Sequence, residues 1–133
     1  MTKKWIGIGA AAGIVCIAIG IGYGDLLAAA FVSNPVLRST ESVAKGKELF
    51  DRYCVACHGS GGKGDGMAVA TLASRPDDLS TLPPPPVFPD GIIAYRIANG
   101  AEGMPAWKGV LAETEIWDLL NFIRSLNASA ATK

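Results

Sequence analysis

The chain holds a single histidine among 133 residues, so no site that needs two imidazoles can be built from it. That removes most zinc hydrolase sites, the two-histidine metalloprotease helix and bis-histidine haem ligation. An excess of either charge is also missing. Twelve basic and twelve acidic residues give a formal net charge of +0, whereas a nucleic-acid protein governed by bulk electrostatics needs a basic surplus. Disorder is excluded by the same low charge together with a hydrophobic content of 50%. No stretch alternates convincingly as a strand, and no internal repeat is visible. What remains is an all-α reading with its apolar residues unevenly placed.

The apolar excess lies at the start. Trp5 to Gly24 carries no formal charge over twenty residues, with Lys3 and Lys4 before it and Asp25 after it. A helix rising about 1.5 Å per residue crosses the roughly 30 Å hydrocarbon core over that length. Residues 1–25 are therefore expected to be a transmembrane anchor, its N-terminus cytoplasmic because of the two lysines. The alternative is a cleaved signal peptide ending near Ala28-Ala29-Ala30, although the apolar run is longer than such a segment needs. Gly9 and Gly13, like Gly20 and Gly24, are four apart. That spacing favours close packing against a helix of a partner subunit.

Residues 26–41 read as a linker, 42–127 as the folded domain and 128–133 as a flexible tail. Ser42 is the expected N-cap of a first helix over about 43–55. A second helix follows Asp90 and ends at Asn99-Gly100. A third begins near Glu113, where Glu113, Glu115 and Asp118 suit the positive helix end, and Ile116, Leu119, Leu120 and Ile123 recur at helical spacing. Between the first two helices lie a glycine-rich loop, Gly59 to Gly66, and the proline run Pro83 to Pro86. Such a small, loop-rich domain has little core of its own.

Cys54-Val55-Ala56-Cys57-His58 supplies what is missing. This C-x-x-C-H pattern reads as covalent attachment of one haem c, with thioethers from Cys54 and Cys57 and His58 on the iron. The competing readings are a Cys54–Cys57 disulfide, a thioredoxin-like motif without its βαβ context, and a zinc site one ligand short. For the second axial position, only Met67 and Met104 are available in the domain. Met104 is favoured, because Gly103-Met104-Pro105-Ala106-Trp107 follows a chain long enough to wrap around a haem and return, and Pro105 stiffens the loop.

Four separated pieces then carry a family resemblance. They are Gly46-Lys47-Glu48-Leu49-Phe50 leading into the haem motif, Gly64-Asp65-Gly66, Ile97-Ala98-Asn99-Gly100 through Met104-Pro105-Ala106-Trp107, and Ile116-Trp117-Asp118-Leu119-Leu120-Asn121-Phe122-Ile123. Over roughly 43–127 the chain resembles a class I, monohaem c-type cytochrome. The resemblance implies the cytochrome c fold around one covalent haem; the single transmembrane helix expected ahead of it, like the proline run, sets the chain apart from small soluble members. It implies that the first and last helices cross, with Gly46 and Phe50 facing Phe122 and Leu126. It also implies that a backbone carbonyl at Pro76 holds the ring N–H of His58, and that Arg75, Tyr95 and Trp107 are candidates to bond haem propionates.

The expected function is therefore single-electron transfer, not catalysis, on the outer, periplasmic face of a bacterial cytoplasmic membrane. The expected partners are redox proteins or membrane subunits of a respiratory oxidoreductase complex. A soluble periplasmic shuttle is the alternative if the leader is cleaved. A haem enzyme or gas sensor with a labile methionine is the remaining one. Small residues around Ala56 offer a flat surface for docking a redox partner.

Overall fold

The structure is a computed structural model that describes residues 24–130, with side chains for 24–127. The expected transmembrane span therefore lies almost wholly outside the described residues, as do the glycine pairs proposed to pack on a partner. Among the described residues no helix is long and apolar enough to cross a membrane. The expected tail over 128–133 is in part helical, since the last helix runs on to residue 130.

Helical residues 24–29 (α1) lead into an irregular segment, followed by α2 at Thr40–Tyr53, α3 at Val55–His58, α4 at Asp90–Asn99 and α5 at Glu113–Ala130. Two short 3-10 turns, Val69–Thr71 and Leu79–Thr81, interrupt the long connection between α3 and α4. Among the described residues there is no strand, only isolated bridges joining Ala101 to Met104 and Lys108 to Leu111.

The N-cap of α2 is Ser39, not Ser42. The Ser39 side chain accepts from the Ser42 amide, and Glu41 occupies the first turn, where the exposed amides favour a negative charge. Ser42 is drawn to a different task. Its hydroxyl donates to Asp118 Oδ1 on α5 and accepts from Asn121 Nδ2, also on α5. Asp90 is likewise the first residue of α4, with Pro89 in the cap position.

The α2–α5 crossing forms the centre of the molecule. At Gly46 a Cβ would sit 2.0 Å from the Asp118 carbonyl oxygen and 2.9 Å from Phe122 Cβ, so the two backbones approach as only glycine permits. One turn further along, Phe50 is fully buried against Phe122, with ring centroids 5.1 Å apart. Leu119, Leu120 and Ile123 of α5 and Ile93 and Ile97 of α4 complete the same core. Leu126 differs from expectation. It packs over the glycine loop, where a Cβ at Gly62 would meet its Cδ1 at 2.7 Å.

The segment expected to be a linker is fastened to the domain. Ala29 is 8% exposed, and a Cβ on Gly91 of α4 would come within 2.0 Å of the Ala29 carbonyl oxygen. Asn34 donates to Asn121 Oδ1 and accepts the Val36 amide, while Asn121 donates to the Val36 carbonyl.

Candidate functional site

Cys54 joins α2 to α3, and its amide still bonds the Phe50 carbonyl, so the haem motif is a continuation of the α2 helix around a slight corner. Inside the motif, His58 N–H donates to the Cys54 carbonyl at 2.8 Å. The glycine loop folds back over this turn. Gly64 donates to the His58 carbonyl, Gly66 to Cys57 and Ala68 to Ala56. The three motif residues are thereby held on a short helical turn whose carbonyls are all occupied.

They open onto a two-part cavity. An inner, mainly apolar chamber of about 140 Å³ is walled by side chains that include Phe50, Leu79, Leu82, Phe88 and Ile93. An outer chamber of about 500 Å³ is lined by Tyr53, Cys57, Pro76, Pro105 and Trp107 among others. Cys54, His58, Asp77, Arg96, Ala101 and Met104 line both. Apolar walls with a few placed polar groups are the usual build of a cofactor site.

Met104 reaches the cavity from a tight turn in which it and Ala101 exchange backbone hydrogen bonds. Gly100 ends α4 with φ +82, and Trp107 N–H then returns to the Ile97 carbonyl at 3.1 Å. The Trp107 ring packs on Tyr53, centroids 5.1 Å apart, which ties the methionine loop to the end of α2. Met67, by contrast, is 91% exposed and lines neither chamber.

The polar expectations fare unevenly. His58 Nδ1 is buried without a hydrogen-bond partner, so the expected bond to the Pro76 carbonyl is not made from that nitrogen. The Pro76 carbonyl is packed under Gly64, where a Cβ would lie 2.1 Å from it. Burial pushes the His58 pKa down, while the backbone and charge of Asp77 act in the opposite direction. Burial favours the neutral imidazole, the form that ligates a metal, and that imidazole shares one cavity with the two motif thiols and the Met104 thioether. The residues present therefore fit a haem iron.

Arg75 lines the outer chamber, yet its guanidinium clamps the glycine loop, donating to the Gly64 carbonyl at 2.8 Å and to Lys63. Tyr95 is not at the site. It faces a separate groove with Ala29 and Val32 on the other side of α4. Trp107 lines the outer chamber.

Two contributors escaped the sequence reading. Arg96 lines both chambers and lies over the Phe88 ring at 5.7 Å. The proline loop supplies Leu82 and Phe88, and it is pinned by Arg124. That guanidinium donates to Asp90 Oδ1 at 2.9 Å and to the carbonyls of Pro83 and Phe88, both at 2.6 Å. A run of prolines flanked by Leu82 and Phe88 was the available signal.

No disulfide joins Cys54 and Cys57, so both thiols are available to a haem. Burial, and then the nearness of Cys57, pushes the Cys54 thiol up to about 12.

Comparison with known proteins agrees with this site. Residues 41–123 match the family described as cytochrome C oxidase, cbb3-type, subunit III. A cytochrome c6 of Petalonia fascia is 33% identical over 86 residues, covering 62% of this chain and 91% of that protein. The cbb3-type cytochrome c oxidase subunit FixP of Bradyrhizobium diazoefficiens is 32% identical over 91 residues, covering 67% of this chain but 29% of its own length. A chain of the Kuenenia stuttgartiensis reducing HAO-like protein complex shares the fold, with a TM-score of 0.60 at 24% identity. The match takes in 69% of this chain and 46% of that one. With the C-x-x-C-H turn, the cavity it opens on and the family match in hand, the chain belongs to the cbb3-type subunit III family of electron-transferring c-type cytochromes, and carries haem c covalently through Cys54 and Cys57.

Proposed function

We propose that the protein is a membrane-anchored monohaem cytochrome whose iron is ligated by His58 and Met104, passing single electrons at the outer face of the cytoplasmic membrane. The observation that carries this reading is that His58, Met104 and Cys54 line one cavity while Met67 lies in solvent. Bound haem supplies a one-electron iron couple, and thioether ligation raises its potential. The chain's own residues hold and shield the group. Cys54 and Cys57 fix it to the α2–α3 corner, Trp107 braces the methionine loop, and Leu82, Phe88 and Ile93 keep water from the inner chamber. No second histidine is available as a distal acid–base group, which disfavours peroxide chemistry. Cys57 and the exposed Ala56 mark where electrons leave toward a partner.

Replacing Met104 by alanine tests the ligand. The oxidised protein's methionine–iron charge-transfer band is expected to vanish in Met104→Ala and to persist in Met67→Ala. Survival of the band in Met104→Ala would refute the assignment.

Anchoring rests on the uncharged run 5–24, and resistance of the full chain to alkaline carbonate extraction tests it. The similarity to FixP supports a place as subunit of, or dedicated carrier for, a respiratory oxidoreductase. Co-purification of other membrane subunits in mild detergent is the expected result. A second reading is favoured by the cytochrome c6 match, in which the shared region accounts for nearly the whole relative. On that reading the domain works alone after its leader is removed, and release of the mature chain into the periplasmic fraction would identify it.

A further inference from the structure

The segment that joins the uncharged run to the haem domain carries large apolar side chains that stand exposed among the described residues. Leu27 is 65% exposed, Phe31 90% and Leu37 88%. Single exposed apolar residues need no explanation, but these three fall within one short segment whose backbone is clamped. Ala29 and Val32 press their carbonyls against Gly91 of α4, and Asn34 is bound to Asn121 of α5. A flexible tether would not need these contacts.

Two further observations define the surface. Leu37 and Arg38 share a groove with Pro84 and Pro85, and Val87 of the same proline loop is 74% exposed. The docked residues Ala29 and Val32 lie in a groove with Tyr95 that shares no lining residue with either haem chamber. Helix α4 separates the two, presenting Ile93, Arg96 and Ile97 to the haem and Gly91, Ala94 and Tyr95 to the docked segment. The groove at Leu37 likewise shares no lining residue with the haem chambers.

We propose that Leu27, Phe31 and Leu37 rest in the headgroup–acyl boundary of a phospholipid bilayer, so that the haem domain is mounted on the membrane in one orientation. The occupant follows from the chain itself, because the uncharged run ends at Gly24, three residues before Leu27. This rests on the reading of 1–25 as an anchor. Apolar side chains at a membrane surface bind at that depth in proportion to the apolar area they bury, and exposed Arg38, next to Leu37, adds a cation for anionic lipid.

The test uses the full-length haem-loaded chain carrying Cys16→Ser and one nitroxide-labelled cysteine, in phosphatidylcholine–phosphatidylglycerol vesicles. Leu27→Cys, Phe31→Cys and Leu37→Cys are compared with Glu48→Cys on the exposed side of α2, and an unchanged haem spectrum confirms folding of each. Labels at 27, 31 and 37 are expected to collide several-fold more with oxygen than with a water-soluble nickel chelate, and the label at 48 to do the reverse. Labels at 31 and 37 as open to the chelate as that at 48, on a chain that still resists carbonate extraction, would overturn the proposal and leave the anchor standing. Labels shielded from both reagents would overturn it in favour of a protein partner or second copy. Release of the chain by carbonate would overturn the anchor and this proposal with it.

Discussion

A single methyl group separates Gly46 from the commonest helix former, and the surroundings decide its effect. Helix propensity alone favours alanine by about 1 kcal/mol. The added Cβ, however, would lie 2.0 Å from a backbone oxygen of α5, which no rotamer change can relieve. Overpacking of this kind costs about 1–3 kcal/mol and outweighs the propensity gain. Gly46→Ala is thus expected to lower the urea midpoint of the haem-loaded protein, with the haem spectrum kept.

Asp78 gives a pH-dependent case at the same scale. Its carboxylate accepts from the Ser80 hydroxyl at 2.6 Å and the Ser80 amide at 2.9 Å, and the hydroxyl bond is the main reason its pKa lies below the ordinary value. A folded pKa below the unfolded one means stability that is present above about pH 4 and disappears as pH falls through the lower folded value. The difference in urea midpoint between wild type and Asp78→Asn should accordingly shrink from pH 6 to pH 3. A difference that stays constant over that range would remove Asp78 from the acid response.

Among the elements, the proline loop has the most exacting support. Two hydrogen bonds from Arg124 hold it, a third ties the same guanidinium to Asp90 at the start of α4, and Asn127 donates to the Leu82 carbonyl beside them. The Asp90 pairing is 11% and 24% exposed on its two sides, so it is shielded more than a surface ion pair. Arg124→Gln keeps part of the bonding and loses the charge. The expected loss is about 2 kcal/mol in urea unfolding, together with faster reduction of the haem by a small polar reductant, because Leu82 and Phe88 line its chamber.

The elements also show what local sequence conveys. The stop at Asn99-Gly100 and the start at Glu113 are local signals, and each appears where expected, whereas the Gly46–Phe50 contact face was legible only through the family resemblance. The Met104 loop was legible because proline and glycine restrict it. Ser42 was misplaced as a cap because Ser39 and Ser42 are chemically alike, and only Asp118 on a distant helix distinguishes their roles. Tyr95 was misplaced by helical phase. Residues 93, 96 and 97 fall on one side of a helix with 3.6 residues per turn, and residue 95 falls on the opposite side. Arg96 was overlooked for the same reason.

For the whole molecule, charge and hydrophobicity divide by region. With Lys3 and Lys4 set aside, ten basic and twelve acidic residues remain, so the part beyond the uncharged run is mildly acidic. The packing of the 26–41 segment on the domain was not legible at this scale, because a chain segment shows in its composition neither that it docks nor on what. Small residues such as Ala29 and Gly91 look unremarkable until their backbones meet.

The contact between Ser42 and Asp118 has a kinetic consequence. The two residues are 76 positions apart, and the α2–α5 crossing they brace is the centre of the core. A chain emerging from its N-terminus presents Cys54, Cys57 and His58 well before α5 exists to close over them. Long-range closure of this kind comes late in folding, since loop entropy is lost before the contact is gained. Leu119 and Ile123 of α5 line the inner chamber, so the back wall of the site is among the last parts of it to form.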